Sequence, residues 1–98
     1  MPAKAIKRTI TSARRSLRRV HRVAQDNLRL LQSVEPEGLP REWREHRHRE
    51  MLIFETLIDL TPPKWIARAT PSQMHERLVT IERIASDPNE LPGYRFDY

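Results

Sequence analysis

The sequence predicts an all-α fold: a long N-terminal amphipathic helix packed with two shorter helices as a hairpin or bundle, then an irregular C-terminal tail. Three observations carry this prediction. No proline or glycine interrupts Ala3 to Val34. Apolar residues recur at alternating spacings of four and three rather than two. No segment shows strand alternation bounded by hairpin turns. The whole reads as one helical domain over residues 1–88, with helices near 3–34, 41–59 and 71–86, and a tail over 89–98.

The first helix has two faces. At 100° per residue, Lys4, Lys7, Arg8, Arg14, Arg15, Arg18, Arg19, Arg22 and Arg29 fall within an arc of about 140°. Ile6, Ile10, Ala13, Leu17, Val20, Ala24, Leu28 and Leu31 fall within about 80° on the other side. The run Ile6, Ile10, Ala13, Leu17, Val20, Ala24 is a coiled-coil-like heptad seam, and Asn27 interrupts it before Leu28 takes over. At 1.5 Å per residue the helix is about 46 Å long, against about 28 Å and 24 Å for the later two. Its seam therefore outruns either partner, which points to a homo-oligomer.

Glu35-Pro36-Glu37-Gly38-Leu39-Pro40 ends this helix in a turn. The second helix is two-toned. Residues 41–50 are charged, with Arg41–Glu45 and Glu45–Arg49 as i,i+4 pairs on an exposed face. Met51 to Phe54, Leu57, Ile58 and Leu60 are apolar on most sides, so this half is expected at the hydrophobic centre or at an interface between copies. Ile6, Ile10, Leu17, Val20, Leu28, Leu31, Met51, Phe54 and Ile58 are the candidate interface residues. Leu60-Thr61-Pro62-Pro63 breaks the helix, and Lys64 to Ala69 makes a short turn anchored by Trp65 and Ile66. Thr70-Pro71-Ser72-Gln73 is a helix start, with Thr70 as N-cap, Pro71 in the first turn and Gln73 closing a capping box. Met74, Leu78, Ile81 and Ala85 form the seam of the third helix, and Asp87-Pro88 stops it. Pro92 and Gly93 precede Tyr94, Phe96 and Tyr98, which read as a lid on the helices or a docking peptide for a partner.

Charge separates the halves. Residues 1–34 hold nine Lys/Arg and one acid, Asp26, for +8; the remaining nine Lys/Arg and twelve acids leave −3. Solvated helix faces usually mix signs, whereas residues 1–25 contain no acid at all. Five arginines within Arg14–Arg22 offer planar forks that bond phosphate oxygens in pairs. Nucleic acid is the leading anionic partner, gripped by its backbone, since the helix has no aromatic to stack on bases. The same stretch has the Arg-rich, acid-free look of a mitochondrial transit peptide, a weaker reading. There is no cysteine and no apolar run long enough to span a bilayer. His46 and His48 do not share a helix face, and no metal or other cofactor is expected. His21 lies beside the seam and is expected at an interface. Without a nucleophile paired to a base, a glycine-rich phosphate loop or paired carboxylates, the chain does not read as an enzyme.

The basic, cysteine-free first helix, the apolar stretch 51–60, the short capped helix 71–86 and the aromatic tail together resemble the small terminase subunits of tailed phages and gene transfer agents. That resemblance implies a ring-forming helical protein that holds DNA. It also implies that the ring passes the DNA to a larger motor subunit, here through the tail, in the cytoplasm of a bacterial cell or phage-infected host. Many members carry an N-terminal helix-turn-helix, which this chain lacks; the turn at Thr70-Pro71 follows a leading helix of barely one turn. Two other readings stay open. One is a helical subunit of a ribonucleoprotein; the other is an adaptor or inhibitor that sets its basic helix against an acidic protein.

Overall fold

The computed structural model describes the backbone of residues 3–86 and the side chains of residues 11–86. Among the described residues the chain is an all-α bundle without strands: α1 (Ala3–Gln32), a 3-10 turn (Pro36–Gly38), α2 (Arg41–Leu60), α3 (Pro63–Arg68) and α4 (Pro71–Ser86). The expectations for Tyr94, Phe96 and Tyr98, and for the side chains of Lys4, Ile6, Lys7, Arg8 and Ile10, lie outside the described residues.

Local chemistry explains the boundaries. Pro63 opens α3, where its missing N–H costs nothing and its fixed φ suits a first turn. Thr70 and Gln73 form both bonds of a capping box. The Gln73 N–H donates to Thr70 Oγ1 at 3.2 Å, and the Thr70 N–H donates to Gln73 Oε1 at 2.9 Å. At the end of α2, Thr61 takes two orphan carbonyls. Its N–H donates to Ile58 O at 3.2 Å, and its hydroxyl donates to Leu57 O at 2.7 Å.

The seam of α1 closes within the single chain at Leu17 and Ala24, which are buried, while Leu28 and Leu31 stay half-exposed. α1 contacts α2, α4 and α3, in decreasing extent. Leu17, Ile66, Ala69, Met74 and Ile81 form the buried centre, with Ala13, Val20, Leu57, Leu60, Trp65 and Leu78 packed around them. A satellite cluster joins Ile84 to Leu52, Ile53, Leu57 and Leu60. Two expectations are corrected here. Leu17, anticipated between copies, has no exposed surface in one chain, because α3 and α4 together supply the apolar cover that neither gives alone. The apolar half of α2 is not the buried centre either: no residue of α2 is buried. The other helices lie against only part of its circumference, so Met51, Phe54 and Ile58 are left half-exposed.

Thr61 is buried without exposed surface, and it is spoken for on both sides. Its one hydroxyl proton goes to Leu57 O, so the 3.1 Å contact with His21 Nδ1 requires the ring nitrogen to donate. His21 thus ties the middle of α1 to the end of α2 inside one chain.

Two stability predictions follow from this packing. Met74→Ala should destabilise by about 2–5 kcal/mol in chemical denaturation, whereas Val79→Ala should stay within about 0.5 kcal/mol. Thr61→Val keeps the shape but strands His21 Nδ1–H and Leu57 O, and should cost about 1–3 kcal/mol. A neutral Thr61→Val would refute the buried bond.

Candidate nucleic-acid interface

The arginine stripe survives folding, with one member diverted. Arg15, Arg18, Arg19, Arg22 and Arg29 are exposed on α1. None of them hydrogen-bonds or ion-pairs with any described residue. Helical spacing alone puts them on one side, since residues three, four and seven apart stack. A cleft of about 620 Å³ runs along this side, lined by Thr11, Arg14, Arg15, Arg18, Arg19 and Arg22. No acid lines it. The guanidinium groups that reach solvent there keep their donors for an outside acceptor, and the geometry suits oxyanions rather than cations or neutral apolar ligands.

Arg14 belongs partly to the fold. It is half-buried, and its Nε donates to Ile66 O at 3.3 Å, in the last turn of α3. A cation at a helix C-terminus meets both an orphan carbonyl and the negative end of the dipole. Nothing local in the sequence separates Arg14 from Arg18, because the difference lies in where α3 ends in space.

Two further arginines do the same work, and spacing alone assigns it to neither. Arg47 lies in the charged stretch 41–50, whose spacing predicts an exposed salt-bridged face; its Nε donates to Leu31 O at 2.9 Å and caps α1. Arg77 Nη1 donates to Leu60 O at 2.9 Å and caps α2, while its guanidinium stacks 4.2 Å from the Trp65 ring centroid. The Arg41–Glu45 pair does form, at 3.0 Å on the surface, where such a pair contributes little. Among the candidate interface residues, Val20, Leu28, Leu31, Met51, Phe54 and Ile58 are half-exposed. Among the described residues no three His, Asp or Glu side chains stand together as a metal site. No described helix is long and apolar enough to cross a membrane.

The division of the stripe is measurable. Arg14→Ala should lower stability by about 1 kcal/mol, or roughly 4–8 °C in Tm for a domain of this size. Arg18→Ala should leave Tm unchanged; equal losses for the two would mean that Arg14 holds nothing.

No protein-family model, no curated protein and no solved structure matches this chain.

Proposed function

We propose that the chain is a non-enzymatic, sequence-tolerant nucleic-acid-binding protein that grips the phosphate backbone with Arg15, Arg18, Arg19 and Arg22, supported by Arg29. The observation that carries this reading is the set of exposed arginines lining a cleft with no acid among its described residues, on a helix whose opposite side packs into the core. Side chains that pair with no described residue and crowd like charge together favour a counter-charge from outside the helix. Phosphate is the acceptor that the guanidinium fork matches best. Duplex DNA is the favoured form, because the described part of α1 offers no aromatic platform for unstacked bases. A DNA-packaging role of the small-terminase kind, with a larger motor subunit as partner, is the narrower form of the same reading.

The test is fluorescence anisotropy with a random DNA duplex across salt. If about four phosphates are contacted, the logarithmic salt slope should be near −3.6, so affinity should fall roughly a hundred-fold from 50 to 200 mM salt. The joint Arg15, Arg18, Arg19 and Arg22→Ala variant should lose both the affinity and the slope, while Arg14→Ala keeps most of them. Wild type that ignores duplex DNA and RNA even at low salt would instead favour an acidic protein as the partner of this face.

A further inference from the structure

Asp26 is the single acid among residues 1–34, and the helix places it on the basic side. At 100° per residue it falls within about 40° of Arg15, Arg19 and Arg22. It stands about 6 Å along the axis after Arg22 and about 4.5 Å before Arg29. Both arginines are at spacings where a helix brings side chains together. Neither pair forms: Asp26 is exposed, and no described residue hydrogen-bonds or ion-pairs its carboxylate.

The fold does not account for this carboxylate. Aspartate is among the poorer formers of a helix interior. Asp26 is far from the first turn of α1, where an acid would gain from the dipole. Its mark is on the cleft instead. The lining runs from Thr11 to Arg22 and includes neither Asp26 nor Arg29. Yet Arg29 is exposed and lies about 20° around the helix from Arg22. Spacing alone would therefore carry the stripe from about 10.5 Å, between Arg15 and Arg22, to about 21 Å at Arg29. A phosphate on that continuation meets the Asp26 carboxylate before it reaches Arg29, and a like charge opposes it as an arginine would favour it.

Building on the phosphate-grip reading, we infer that Asp26 ends the grip. It confines the ligand backbone to the stretch from Arg15 to Arg22 and leaves Arg29 as a distant charge only. The ligand is then a phosphodiester backbone held over a short length, not along the whole of α1. A strand of duplex DNA running alongside, with a phosphate every 3.4 Å or so of axis, presents about four phosphates over that rise. Asp26 thus sets both the length of backbone engaged and the steepness of the salt dependence.

The experiment is anisotropy of the full chain with a random DNA duplex across salt, comparing wild type with Asp26→Asn and Glu76→Gln. Asparagine keeps the shape and removes the charge. Glu76, exposed on α4 about 160° around the helix from the buried Met74, controls for net charge alone. Asp26→Asn should bind about five-fold more tightly at 50 mM salt. Its salt slope should steepen from about −3.6 to about −4.5 as Arg29 takes a fifth phosphate. Glu76→Gln should change affinity by less than about two-fold. Arg29→Ala should cost less than about two-fold in wild type, yet abolish the gain and the added slope in the Asp26→Asn background. Tm should stay at the wild-type value for both single acid variants. An Asp26→Asn no tighter than Glu76→Gln, or one whose gain survives Arg29→Ala, would overturn this inference and leave the phosphate grip standing. A wild type without affinity for duplex would overturn both.

Discussion

The structure depends on where its helix C-termini send their carbonyls. Every α-helix leaves its last four C=O groups without an internal donor. Here one carbonyl at each of three helix ends takes a bond from an arginine of another helix. The solution repeats three times. Arg47 from α2 donates to Leu31 O, Arg77 from α4 donates to Leu60 O, and Arg14 from α1 donates to Ile66 O. Each bond is made by a cation at the negative end of a helix, so hydrogen bonding and the dipole act together. Each also joins two helices, so the capping network is a tertiary scaffold rather than a set of local stops.

That scaffold explains how a thin core suffices. Leu17, Ile66 and Met74 are the large aliphatic side chains sealed most completely, and they meet where α1, α3 and α4 converge. Burying each contributes about 1.5–3 kcal/mol, which counts heavily against net stabilities of about 5–15 kcal/mol. Thr61 and His21 secure the same corner with a buried polar chain, each member accounted for by another. Unsatisfied, these groups would oppose the packing that surrounds them.

The same economy shapes the surface of α1. One face of the helix is spent on the core, and another holds arginines that pair with no described residue. The arginines and the core side occupy separate arcs, so a change at Arg15, Arg18, Arg19 or Arg22 leaves the core side standing.

Periodicity and capping are local properties, and the sequence alone determined them. The starts of α1, α2 and α4, the capping box at Thr70 and Gln73, and the clustering of Arg15, Arg18, Arg19 and Arg22 on one side all follow from spacing and residue type over a few turns. Tertiary structure decided everything that depends on who meets whom. It drew Leu17 into the chain's own core, left Met51, Phe54 and Ile58 half-exposed, and turned His21 to Thr61. It also took Arg14 and Arg47 out of the surface charge to serve as caps. The physical reason is that a heptad seam states only that a helix wants an apolar neighbour, and an arginine only that it wants an acceptor. Which neighbour and which acceptor are set by the positions of α3 and α4 against α1, and those are fixed by contacts some forty to sixty residues apart in the chain, such as Arg14 with Ile66 and His21 with Thr61.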